Sequence, residues 1–114
     1  MDMKDFIDQC RKEPNTIDFQ QVMAVIDQYY AYTPSQFNNG AIDNPAGSNE
    51  GSCKIFAFAQ LNNLSEMETL ALFGQYYRDD VMGHPNGSDH NNIRNFLLDG
   101  WLGIRFDKVV LSKK

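Results

Sequence analysis

Apolar residues recur along most of this chain at the spacing of buried helix faces, and one long segment breaks that rhythm. Met3, Phe6, Ile7 and Cys10 share a face of a helix predicted over residues 2–12, with Arg11 and Lys12 in the last turn, where the helix dipole favours cations. Pro14 ends it. Asp18 caps a second helix, Gln21 can return the capping-box bond, and Ile17 can staple onto Val22. Phe19, Val22, Met23, Ile26 and Tyr29 or Tyr30 form its inner face, and it stops before Thr33-Pro34. A third helix, from Ser52 to about Asn62, carries Ile55-Phe56-Ala57-Phe58-Ala59, which has no polar side and so predicts the most buried element. Ser65 and Glu68 form a capping box opening a fourth helix that reaches Val81 or Met82, with Met67, Leu70, Ala71, Phe73, Gly74 and Tyr77 available to the core. Beyond the breakers Gly83-His84-Pro85-Asn86-Gly87, Ser88 or Asp89 caps a fifth helix with Ile93, Phe96 and Leu97 inward and Gly100 as its stop. The run from Trp101 to Phe106 alternates enough to be extended, with Leu102, Ile104 and Phe106 inward. A single strand must lie along the helices, pair with the long loop, or meet another chain.

The segment without a period runs from Thr33 to Ser52. Asn39-Gly40 is its strongest turn signal, but the flanks are too short to predict strands. Its Asn, Ser and Asp residues bond locally and Phe37 and Ile42 anchor it, so it is expected to be ordered. The fold class expected is mainly α: a single compact domain over residues 1–114, of four to five helices with a long ordered loop and a short extended C-terminal segment.

Charge narrows the partners. Fifteen acidic against ten basic residues give a net charge of −5, which argues against nucleic acid and against an anionic membrane surface. No Lys or Arg lies between Lys12 and Lys54, while Glu13, Asp18, Asp27, Asp43 and Glu50 do, so this stretch is either an ordinary solubilising surface, the favoured reading, or a face that would steer a cationic ligand or partner. Cys10 and Cys53 make no disulfide framework, and the first residues show no secretory leader, so a reduced, cytoplasmic chain is expected. The longest apolar run is five residues, far short of the roughly twenty a membrane-spanning helix needs.

Chemistry converges on two loops. Cys53, in the first turn of a helix beside Lys54, is placed for a depressed thiol pKa, and His90 is a candidate base with Asp89, Asn91 or Asn92 to orient it. A cysteine-dependent enzyme using Cys53 and His90 is one reading; Cys53 as a small core residue is the blander one. The other functional reading is a binding module for a protein, a peptide or a small polar ligand, with Asn38, Asn39, Asn49, Glu50, His84, Asp89 and Asn91 as contacts. His84, Asp89 and His90 match no specific metal-site spacing, so neither a metal nor a cofactor is expected.

Five stretches of the chain resemble one family. They are Tyr32 to Ala41 (YTPSQFNNGA), Ala46 to Phe56 (AGSNEGSCKIF), Phe73 to Asp79 (FGQYYRD), His90 to Phe96 (HNNIRNF) and Gly100 to Ile104 (GWLGI). Together they resemble the HopJ family of bacterial type III effector-like proteins, across essentially the whole chain. The resemblance implies a small, mostly helical soluble protein, cytoplasmic or secreted into a host cell by a type III system. It carries no catalytic role over to any residue here.

Overall fold

A computed structural model describes residues 2–114. The first helix, α1 (Met3–Lys12), is capped by the Asp2 carboxylate accepting from the Asp5 N–H at 2.8 Å, and buries Phe6 and Cys10. A short 3₁₀ turn, Pro14–Thr16, leads to α2 (Phe19–Tyr29), capped by Asp18 and burying Val22, Val25 and Ile26. The chain then extends at once into β1 (Tyr30–Tyr32). The segment with no period forms a hairpin, β2 (Phe37–Asn39) and β3 (Ile42–Asn44), before α3 (Glu50–Leu61). After α4 (Glu66–Ala71) comes a π-helical stretch, Tyr76–Val81, and then α5 (Asn91–Asp99). A 3₁₀ turn, Gly100–Gly103, precedes β4 (Ile104–Phe106) and β5 (Leu111–Lys113).

The strands correct the expected fold class: this is an α+β protein, not a mainly α one. β1 pairs antiparallel with β5, and β2 pairs antiparallel with both β3 and β4, giving a two-stranded and a three-stranded sheet. The long loop was expected to lack strands because each flank is only three residues long, which is too little to signal a strand locally. Those residues become strand because β4, 65 to 69 residues further along by its register, completes their hydrogen bonding: Phe37 faces Phe106 and Asn39 faces Ile104. Gly40 occupies the first position of the two-residue turn at φ +59, which a glycine adopts without the steric cost of a side chain.

Three further expectations shift. The fourth helix does not run unbroken to Val81, because Gly74 turns the chain at φ +61. A Cβ there would lie 2.7 Å from the Phe19 nitrogen, so the turn is where this segment passes the start of α2 backbone to backbone. Met67 and Leu97 lie at the surface rather than in the core, and Leu102, expected inward, is 95% exposed, because the 3₁₀ turn rotates it away from the alternation that begins at β4. The central helix is buried as its apolar run predicts. Ile55, Phe56, Phe58 and Ala59 are fully enclosed, and the Phe56 ring meets those of Phe37, Phe73, Phe96 and Trp101 at centroid distances of 5.0–6.4 Å. Among the described residues no helix is long and apolar enough to cross a membrane.

Candidate functional site

The packing of α3, α5 and the hairpin leaves a cleft of about 510 Å³. It is bordered by the start of α3 (Asn49, Gly51, Ser52), the start of α5 with the loop before it (Ser88 to Ile93), β3 (Ile42 to Asn44), and the aromatics Phe19, Phe73 and Tyr76.

Asparagines build the frame around it. Asn39 and Asn44 are almost wholly enclosed and Asn92 is 7% exposed, and burying amides is tolerable only when their hydrogen bonds are made. The Asn39 amide donates to the Asn92 backbone carbonyl at 2.8 Å; Asn92 donates to Asn44 at 2.9 Å and Asn49 donates to Asn44 at 2.7 Å. Asn95 donates to the Asn39 carbonyl at 2.9 Å. These bonds lock the hairpin to the first turns of both helices, and no buried polar side-chain atom among the described residues lacks a partner.

Both helices enter the cleft uncapped. Asn49 precedes α3 and His90 precedes α5, each left-handed at φ 51 and neither using its side chain as a cap. Asp89, expected to cap α5, instead accepts from the Arg94 guanidinium at 2.6 Å, which holds its carboxyl below the usual carboxylate range. Among the described residues, no group accepts from the first-turn N–H groups of residues 50–52 or 91–93. A left-handed residue followed by helical ones makes successive N–H groups converge, a concavity suited to an anion.

The other side is aromatic. Phe19 and Tyr76 rings lie 4.9 Å apart, and Tyr76 stacks on the His90 imidazole at 5.2 Å. The His90 Nε2 lies 2.9 Å from Asp80 Oδ2 and 3.9 Å from Asp89 Oδ2.

Of the residues singled out from sequence, the structure brings Asn49, Asp89, His90 and Asn91 to the cleft. Asn39 lies behind it in the buried amide network, and Asn38 pairs with the Asp43 side chain on the hairpin. His84 is exposed on its loop, where its carbonyl accepts from Arg94 at 2.9 Å. Glu50 begins α3 but does not border the cleft. Cys53 is 1% exposed and also outside the cleft lining, with its sulfur 3.9 Å from the Ser35 carbonyl oxygen. Burial pushes its thiol pKa up, outweighing the lowering by hydrogen bonds from Tyr32 and at Ser35. Lys54, expected to favour the thiolate, pairs with Asp27 at 3.0 Å and lies over the Tyr32 ring. Sequence reasoning missed Phe19, Tyr76 and Asp80, whose helical periodicity reads as ordinary packing or surface.

Comparison with known proteins places this geometry. The family profile described as HopJ type III effector protein matches residues 3–111. The chain is also similar to the crystal structure of unknown function protein VPA0580, with a TM-score of 0.98 and 48% identity over 100% of this chain and 95% of that one. No curated protein matches it.

Proposed function

We propose that this chain, which belongs to the HopJ family, is a binding module whose cleft takes a small polar ligand or a peptide through an anionic group. One observation carries the reading: α3 and α5 both begin at the cleft with no side-chain cap, and their first-turn N–H groups meet no acceptor among the described residues. A helix N-terminus presents donors and the positive end of the dipole together, which is the arrangement that binds carboxylates and phosphates. Phe19 and Tyr76 offer apolar surface to the rest of the ligand, and Asn49, Ser52 and Asn91 offer orienting hydrogen bonds. Of the nearby carboxylates, Asp89 is paired with Arg94, which offsets its repulsion of an anion, while Asp43 accepts from the Asn38 amide and keeps its charge.

The family's description supports a type III effector as the setting; a relative retained in the bacterial cytoplasm would use the same cleft for a protein or small polar ligand. Neither nucleic acid nor a membrane is a proposed partner, given the net charge of −5. Cysteine catalysis draws no support from the geometry, because the thiol is enclosed and the His90 imidazole is engaged by Asp80.

Amide-resolved NMR tests the reading. Short peptides with a free C-terminal carboxylate, and inorganic phosphate, are expected to shift the amides of residues 50–52 and 91–93, while amidated peptides do so weakly. Ser52→Glu, which sets a carboxylate at the same helix start, is expected to weaken binding by about tenfold or more, the equivalent of roughly 1.4 kcal/mol. Shifts located elsewhere, or none with either probe, would sink the proposal.

A further inference from the structure

The groups around His90 carry a second inference, independent of whether the cleft binds an anion. We propose that Asp80, Asp89 and His90 form a binding site for a divalent first-row metal ion. One potential ligand atom from each lies within 4.8 Å of the others. Ligands roughly 2.0–2.2 Å from an ion, at angles between octahedral and tetrahedral, are about 2.8–3.6 Å apart, the shorter separations being octahedral. The 2.9 Å between His90 Nε2 and Asp80 Oδ2 already falls in that range, and the 3.9 Å to Asp89 Oδ2 is closed by a small rotation of an exposed carboxylate.

The surroundings position these ligands as supporting groups do in metal sites, where carboxylates are themselves hydrogen-bonded and the imidazole orientation is set from outside. Arg94 donates to the backbone carbonyls of Asp80 at 3.3 Å and Asp89 at 2.6 Å, and to Asp89 Oδ1 at 2.6 Å. It therefore holds the two segments together while leaving Oδ2 of Asp89 turned toward His90. The Tyr76 ring, stacked on the imidazole, fixes its plane. Tyr76 and Asp80 are four residues apart on the π-helical stretch, so one short element supplies both the stacking ring and a ligand. Charge points the same way. Of the two carboxylates only that of Asp89 is paired with the Arg94 guanidinium, while that of Asp80 faces the imidazole, and a dication would neutralise it. One imidazole with two carboxylates suits zinc, manganese or cobalt rather than an ion that prefers thiolates.

The decisive experiment titrates Zn²⁺ into chelator-treated full-length protein by calorimetry. One saturable site is expected, weakened at least tenfold by His90→Gln and by Asp80→Asn, and unaltered by Asp107→Asn, an exposed carboxylate outside the cluster. No saturable binding, or a site that survives both substitutions, overturns the proposal. Should either variant fail to fold, Mn²⁺ broadening of the unaltered protein's amide spectrum decides instead. Broadening centred on residues 79–81 and 88–94 supports the site, and broadening elsewhere or none overturns it.

Discussion

At Cys53 two electrostatic effects compete. A first-turn position stabilises a thiolate through the helix dipole, while enclosure removes the water an anion needs, and here desolvation is the larger. Cys10, near the end of α1, has no such first-turn position, and burial pushes its thiol up to about 12, with Glu68 adding to the shift. Both thiols are therefore expected to react slowly with an aromatic disulfide reagent near neutral pH in the native protein and rapidly once denaturant opens the core. Rapid modification of a single native thiol would restore Cys53 as a nucleophile. His90 has the opposite standing: its ring is partly exposed, stacked on Tyr76 and flanked by two carboxylates.

Among the elements, α4 shows how a sequence signal becomes local stability. Ser65 accepts from the Glu68 N–H at 3.1 Å, and the Glu68 carboxylate accepts from the Ser65 N–H at 2.8 Å and from Arg11 at 3.1 Å. The backbone bond from Ser65 is the main reason the Glu68 carboxyl is held below its ordinary value, and Arg11 lowers it further. Because the folded-state pKa is depressed, this stabilisation is present above the unfolded value of 4.5 and is lost as pH falls through the folded one. Glu68→Gln is expected to cost below about 1 kcal/mol at pH 7, since the pair is partly solvated, and the difference from the parent should shrink in urea melts as pH falls below 4.5. A difference that persists at low pH would mean that the cap geometry, rather than the charge, is responsible. The π-helical stretch is the less predictable element. Gly74 turns the chain against the start of α2, and Gln75 and Arg78 then fasten it by accepting from the Phe19 N–H at 3.1 Å and donating to the Ile17 carbonyl at 2.6 Å. That fastening is what brings Tyr76 and Asp80 to His90.

At the scale of the molecule, the C-terminal segment closes both sheets. β5 covers β1, and β4 covers the hairpin, so residues late in the chain complete structure begun before α3. Ending the chain at Lys108 removes β5 with the buried Val110 and Leu111. The expected loss is about 3–6 kcal/mol, at roughly 1.5–3 kcal/mol for each enclosed aliphatic side chain. Denaturant melts measure it, and a shortened chain within about 1 kcal/mol of the parent would show that the C-terminal strand is peripheral to the core. The hairpin matters differently: its buried asparagines, rather than apolar surface alone, set where it sits relative to α3 and α5.

The helices were legible because an amphipathic face is a property of residues three and four apart: α1, α2, α5 and the capping box of α4 follow from neighbours in sequence, and Ile55 to Ala59 declares its burial without reference to anything else. Family membership was legible in five short stretches of residues for a related reason, since they identify the chain without requiring its geometry. The strands were not. Three-residue segments carry too little pattern, and whether Phe37 to Asn39 is strand depends on Ile104 to Phe106 being beside it. The cleft divides in the same way. Asn49, Asp89, His90 and Asn91 stood out because their loops are more polar than helix packing requires, whereas Asp80 and Tyr76 acquire meaning only from the turn at Gly74. Cys53 faced the reverse problem: its helix-start position was visible in the sequence, but the pKa of a thiol depends on how much water remains around it, and only the packed core decided that.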